Sequence, residues 1–139
     1  MLDITHIHPL VTHFPIALII VGFVADISSF IIKKEICLSR TGFYLEVTGA
    51  LAAIVAFCTG YFLTGENIDD AGHIGQMHET FAFFTLGTIL IAAFVRILMV
   101  VQKKEATNMK YLSLGLFFLA VVFVSITGFY GGLVVFGNS

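Results

Sequence analysis

The sequence has little charge, no tryptophan, two cysteines and two prolines. Charged residues make up 12% of its 139 residues, the formal net charge is −2, and no large basic patch is present. These features argue against a nucleic-acid-binding protein. Cys37 and Cys58 are not a closely spaced pair, so we expect no disulfide between them. The chain also lacks a nucleophile–base arrangement and a phosphate-binding loop, so we expect no autonomous catalytic activity.

Apolar residues, in contrast, make up 58% of the chain, and the mean hydropathy is +1.01. A soluble domain of this size has too little interior to bury so much apolar surface, so a lipid bilayer must cover it. The 15 phenylalanines and 13 glycines are typical of lipid-facing and closely packed helices. The first apolar run continues from Phe14 to Ile32, and we expect a membrane span there rather than a cleavable leader.

Four apolar stretches are each long enough to cross ~30 Å of hydrocarbon as a helix. They run over residues 14–32, 43–64, 79–101 and 111–136. Because the connections between them are short, sequential helices should be antiparallel neighbours. We therefore predict an all-α, integral membrane four-helix bundle of up-down-up-down topology, with residues 1–139 in a single transmembrane domain.

The basic residues mark one end of the predicted bundle. Six lie in the first and third loops, and Arg96 lies in helix three near the third loop; the six are Lys33, Lys34, Arg40, Lys103, Lys104 and Lys110. The positive-inside rule then makes both loops cytoplasmic and both termini non-cytoplasmic. All five histidines fall on the outer side: His6, His8, His13, His73 and His78.

The histidines also suggest an internal repeat. His8 and His13 are five residues apart, as are His73 and His78, and the two pairs are offset by 65 residues. Both halves cross the membrane in the same sense, so two pseudo-repeated hairpins should face each other about an axis along the membrane normal. This axis would bring helices one and three together across the bundle, with His13 and His78 at one depth.

Two histidines that face each other across a four-helix bundle are typical axial ligands of a b-type haem. We therefore predict haem b between helices one and three, near the outer face, bound by His13 and His78. Gly60 and Gly128 lie at the same level and would line the slot for the macrocycle. Small residues also permit close helix packing alone, which is the commoner role of glycine in membrane helices.

His8 and His73 leave a second interpretation open. Five residues of regular helix rotate a side chain by ~140°, so each pair can converge only if the segment before the helix is irregular. Pro9 and Gly72 favour such irregularity. If His8, His13, His73 and His78 converge, they could hold a Zn, Cu or Fe ion. A third interpretation is a purely structural membrane subunit whose histidines are solvated surface groups.

Asp26, Glu46 and Arg96 are ionisable residues well inside the predicted spans, in their cytoplasmic half. Isolated charges there would cost several kcal/mol, so we expect Arg96 to form an ion pair with Asp26 or Glu46. The pair would lock helices one, two and three together. A proton relay or a contact with a quinone is the alternative role.

Two segments resemble the signatures of a bacterial domain-of-unknown-function family of predicted membrane proteins. The first is His8-Pro9-Leu10-Val11-Thr12-His13-Phe14-Pro15-Ile16-Ala17-Leu18, and the second is Thr127-Gly128-Phe129-Tyr130-Gly131-Gly132-Leu133-Val134-Val135. The resemblance covers nearly the whole chain and carries His8 and His13 as motif positions. It departs at the end, where relatives often have a basic residue and a histidine. Some relatives are fused to cytochrome-like domains, which implies a redox role.

The leading hypothesis is thus a membrane b-type cytochrome-like electron-transfer protein or subunit. Its expected partners are the lipid bilayer and respiratory-chain membrane subunits or a cytochrome. Self-association of the chain is a further option, and no nucleic acid is expected.

Overall fold

A computed structural model describes residues 7–33, 35–63, 72–103 and 107–137, leaving aside the side chains of residues 7–10, 63 and 107. Within these ranges the chain forms four α-helices and no strand. The helices are α1 (Ile7–Ile31), α2 (Ile36–Leu63), α3 (Gly72–Gln102) and α4 (Thr107–Phe136). Each contains a stretch long and apolar enough to cross a membrane. The predicted all-α four-helix membrane bundle is confirmed.

Helices α1 and α3 begin seven residues earlier than the apolar runs predict, at Ile7 and Gly72 instead of Phe14 and Glu79. Hydropathy detects only the part of a helix that lies in lipid, so it misses these polar first turns. Pro15 therefore lies inside α1 and not in its first turn. Gly72 has a φ of 58°, a left-handed conformation that glycine adopts without strain, and α3 starts there.

Sequential helices are antiparallel neighbours, as predicted. Helix α1 packs most extensively on α2, and α3 on α4, while contacts of α1 with α4 and of α2 with α3 close the bundle. Helices α1 and α3 therefore lie diagonally across from each other. We call the end of the bundle at which α1 and α3 begin the histidine end. The opposite end, at which α1 is followed by α2 and α3 is followed by α4, is the lysine end.

Glycine allows α1 and α2 to approach closely. A Cβ atom at Gly42 would lie 2.9 Å from Cβ of Asp26, and one at Gly22 would lie 2.9 Å from Cβ of Leu45. Real side chains do not approach so closely, so both positions depend on the absence of a Cβ atom. Small residues at such contacts are the usual means by which membrane helices gain packing energy.

Four buried residues from each helix align in four layers of the interior. Contacts of Gly22 with Glu46, Gly42 with Asp26 and Gly49 with Ile19 set the register of α1 against α2. The layers are numbered from the histidine end, and the residues of each are given in the order α1, α2, α3 and α4. Layer one is Pro15, Ala53, Thr85 and Val124, and layer two is Ile19, Gly49, Ile89 and Ala120. Layer three is Gly22, Glu46, Ala92 and Phe117, and layer four is Asp26, Gly42, Arg96 and Ser113.

The layers show the internal repeat, at a spacing that differs from the predicted one. Buried positions of α1 recur in α3 after 70 residues, and those of α2 recur in α4 after 71 residues. The predicted offset of 65 residues was wrong because it aligned residues of the same type. What repeats between the two hairpins is the set of positions that are buried in the bundle interior. At an offset of 70, the counterpart of His78 is His8, and the counterpart of His13 is Phe83.

Candidate functional site

His78 lies on α3 at the histidine end, half-buried against α4. Its Nδ1 atom is 3.0 Å from the backbone carbonyl oxygen of Thr127. Because a carbonyl oxygen can only accept, Nδ1 carries the hydrogen and donates it. In the neutral ring the lone pair is then on Nε2. Histidines that bind metals commonly have this arrangement, in which a hydrogen bond of one ring nitrogen orients the other.

Gly131 provides the surface on which the His78 ring lies. A Cβ atom at this position would be 3.1 Å from Cε1 and 3.2 Å from Nδ1 of His78. Such distances are tighter than ordinary van der Waals contact, so a larger residue would displace the ring. Gly131 lies one turn after Thr127, and the two residues together fix the ring against α4.

A pair of threonine hydroxyls lies near His78, on the side towards the lysine end. Oγ1 of Thr85 and Oγ1 of Thr127 are 3.0 Å apart. They also approach the carbonyl oxygens of Phe81 and Phe123, each four residues earlier in its helix, at 2.8 Å. Two hydroxyl hydrogens cannot satisfy three such contacts at once, so the hydrogens have alternative arrangements here.

Aromatic rings line the α3–α4 side of the histidine end. Phe81 stacks on Tyr130 with ring centroids 6.0 Å apart and an interplanar angle of 7°. Phe123 contacts both Phe81 and Phe84. Phe81 lies three residues after His78 on α3, so these rings lie about one helical turn from the imidazole.

The structure does not bring the other predicted histidines into this arrangement. His13 is exposed on α1, and it lies about 7.5 Å further along the helix axis than His8, the counterpart of His78. His73 is exposed in the first turn of α3. His8 lies in α1 with a side chain outside the described part, and His6 lies outside the described residues altogether.

The expected irregular segments between the paired histidines are absent from the described helices. Helix α1 is continuous from Ile7 and α3 is continuous from Gly72. Two histidines five residues apart therefore lie ~140° apart around each helix. Among the side chains that the structure describes, no three of His, Cys, Asp or Glu form a group that could hold a metal ion.

The two glycines predicted to line a slot are both on inner helix faces. Gly60 is buried in α2. Gly128 faces Ile16, whose Cδ1 atom would lie 3.2 Å from a Cβ atom at the glycine. Ile16 thus occupies the space beside Gly128, and a planar group could enter there only after this flexible side chain changes rotamer.

A second polar site lies towards the lysine end, across the bundle diagonal. Nη2 of Arg96 donates to Oδ1 of Asp26 at 2.7 Å, and Nη1 donates to Oδ2 at 3.3 Å. The side chains are 5% and 1% exposed, so the pair is fully inside the bundle. Nη2 also approaches Oγ of Ser39 at 3.2 Å. This bidentate ion pair ties α1 to α3, with Ser39 of α2 as a further acceptor.

Glu46 does not take part in the ion pair. It is completely buried one layer nearer the membrane centre, and neither of its carboxylate oxygens has a hydrogen-bond partner in the described part of the chain. Oγ of Ser113, in the same layer as the ion pair, is also buried without a partner there.

Sequence analysis missed Ser39, Thr85, Ser113 and the direct role of Thr127. Serine and threonine are frequent in membrane helices, where they bond to the carbonyl one turn earlier, so residue type alone gives no signal. The spacing of Thr127 and Gly131 within the second signature segment is the one feature that could have indicated a joint role.

Four apolar helices in two hairpins, with the ionisable residues well inside the spans (Asp26, Glu46 and Arg96) buried in the interior, define an integral membrane four-helix bundle. The family model described as "Predicted membrane protein (DUF2231)" matches residues 5–138, and the chain belongs to this family. Its description gives a membrane location and no activity. Neither a curated protein nor a solved structure matches the chain.

Proposed function

We propose that the chain is a b-type cytochrome-like electron-transfer protein, or a subunit of one, with a haem between α1 and α3 at the histidine end. We place it in the bacterial inner membrane with both termini on the non-cytoplasmic side, because the basic residues are all at or near the lysine end. Its electron partner would then be a respiratory-chain membrane subunit or a cytochrome at the non-cytoplasmic face.

The hydrogen bond of His78 to Thr127 is the observation that carries this proposal. It orients the imidazole and places the hydrogen on Nδ1, so Nε2 is the ring nitrogen that would bind a haem iron. Helix packing through Gly131 holds the ring on the half-buried side of α3, where an apolar cofactor would be shielded from water.

The second axial ligand would come from α1, which lies diagonally across from α3. Two histidines are candidates: His13, predicted from the motif, and His8, the counterpart of His78 in the repeat. A haem held by these residues would supply one-electron redox chemistry. The protein's own contribution is to orient the ligands, exclude water with Phe81 and its aromatic neighbours, and open the slot beside Gly128 by a rotamer change of Ile16.

The test is the visible absorption spectrum of the full chain, purified after expression with an adequate haem supply. We expect a Soret band that His78→Ala reduces at least about tenfold, since an axial ligand is lost. His73→Ala is the matched control, because this histidine is exposed on the same helix. His8→Ala and His13→Ala, measured in parallel, identify the second ligand.

A protein without a Soret band, or one whose band is unchanged in His78→Ala, would contradict the proposal. Bound Zn, Cu or Fe without haem, lost in both His8→Ala and His73→Ala, would instead indicate the four-histidine metal site. If all of these variants retain assembly and no cofactor is found, the chain is a structural subunit.

A further inference from the structure

Glu46 is the feature of the interior that neither helix packing nor the haem proposal explains. Its side chain is 0% exposed, in the third layer from the histidine end. A Cβ atom at Gly22 would lie 3.4 Å from the Glu46 backbone nitrogen and 3.2 Å from Cζ of Phe117. The other buried residues of this layer, Gly22, Ala92 and Phe117, have no polar side-chain atoms.

The charges nearest to Glu46 do not compensate a carboxylate at this position. Arg96 of α3 and Asp26 of α1 are the charged groups that act on it from the helices packed against α2. They are already joined to each other by two hydrogen bonds. Their opposite charges act on Glu46 in opposite directions, so the repulsion of Asp26 partly offsets the attraction of Arg96.

Hydrogen bonding does not compensate a carboxylate either. Both Glu46 oxygens are buried, and no donor in the described part of the chain reaches them. A buried anion without donors is far less stable than the neutral acid, whose proton removes the charge. The remaining titratable groups described on α1 and α3, such as His13, His78 and Glu79, lie at the histidine end.

Polar side chains lie between this layer and the lysine end. Ser39 lies in the first turn of α2, half-buried, and contacts Arg96, which contacts Asp26. Asp26 is one layer below Glu46, and the unpartnered hydroxyl of Ser113 is in the same layer as Asp26. Each of these groups can accept or donate a hydrogen bond. The next layer towards the histidine end has only apolar side chains or none: Ile19, Gly49, Ile89 and Ala120.

We propose that Glu46 is an intramembrane proton-binding site, with its carboxyl protonated at neutral pH and with the Asp26 carboxylate, one layer nearer the lysine end, as the acceptor through which the proton exchanges. The ligand is a proton, bound in the half of the bundle away from the histidines. The site would make the chain able to take up or release one proton within the membrane. It does not depend on haem, so each proposal can fail without the other.

Infrared spectroscopy of the purified full chain at neutral pH tests this directly. We expect the C=O band of a protonated carboxylic acid, which Glu46→Gln abolishes and Glu79→Gln leaves unchanged. Glu79 is the matched control because it is exposed at the histidine end. Glutamine resembles the protonated acid in shape and charge, so Glu46→Gln should fold with unchanged thermal stability.

A measurement on the unaltered sequence covers the case in which Glu46→Gln does not fold. Protein grown with carboxyl-¹³C glutamate should show the same acid band shifted to lower frequency, while ¹³C aspartate should leave it in place. A spectrum with carboxylate bands alone would overturn the proposal. So would an acid band that persists in Glu46→Gln or that fails to shift with labelled glutamate.

Discussion

At the scale of single residues, the position of His78 depends on one glycine and one carbonyl oxygen. The ring lies on Gly131 and donates to Thr127, and these partners belong to successive turns of α4. This contact defines which ring nitrogen is the donor and which carries the lone pair. Any ligand chemistry at the histidine end therefore depends on a close approach between α3 and α4.

Gly131→Ala should displace the His78 ring and break its hydrogen bond to Thr127. The added methyl group would lie 3.1 Å from the ring, and such overpacking typically costs about 1–3 kcal/mol of stability. We expect lower stability in detergent and lower haem occupancy. Gly132→Ala is the control, since nothing lies within 4 Å of its Cβ position. Equal behaviour of the two variants would contradict the role of Gly131.

The ion pair of Asp26 and Arg96 gives a second prediction at this scale. Arg96→Leu leaves a buried, unpaired Asp26, and removal of one partner of such a pair costs about 3–5 kcal/mol. The double variant Asp26→Leu with Arg96→Leu removes both charges and should be less destabilised than Arg96→Leu alone. Unfolding in mixed micelles measures both. A double variant at least as unstable as the single one would show that packing, not charge, dominates.

At the scale of the helices, the close α1–α2 contact determines the shape of the first hairpin. Gly42 lies against Asp26, so the ion pair and the close helix approach share one layer. Sequence analysis predicted the helices and their order because hydropathy and short loops determine both. It missed the first turns of α1 and α3, whose polar residues extend beyond the apolar runs.

Gly42→Ala should separate α1 from α2 and disturb the ion pair, because the new methyl group would lie 2.9 Å from Cβ of Asp26. We expect a loss of stability of about 1–3 kcal/mol in the same micelle assay. Gly115→Ala is the control, because nothing lies within 4 Å of its Cβ position. If Gly42→Ala is as stable as Gly115→Ala, the hairpin is not closely packed at this layer.

At the scale of the whole molecule, two hairpins repeat a pattern of burial rather than a pattern of residues. Asp26 and Arg96 occupy equivalent positions and have opposite charges, while Glu46 and Phe117 are equivalent and differ in polarity. Matching of like residues therefore found the repeat but gave the wrong offset. For the same reason it paired His13 with His78, whereas the layers pair His78 with His8.

The orientation predicted from the basic residues can be tested with the native Cys37, which is exposed in the first turn of α2 at the lysine end. In a Cys58→Ser background, an impermeant maleimide should label Cys37 only after the membrane is disrupted, because that end should be cytoplasmic. A cysteine at the C-terminus, Ser139→Cys in a chain also lacking Cys37, should react in intact spheroplasts. The reverse labelling pattern would contradict the orientation.

The central claim is that His78 and a histidine of α1 hold one haem between the two diagonal helices. Electron paramagnetic resonance of the oxidised, purified chain, with haem quantified on the same sample, tests it most directly. The account predicts one haem per chain with the low-spin ferric signal of two axial imidazoles. Absence of stoichiometric haem, or a high-spin signal from a single axial ligand, would contradict it.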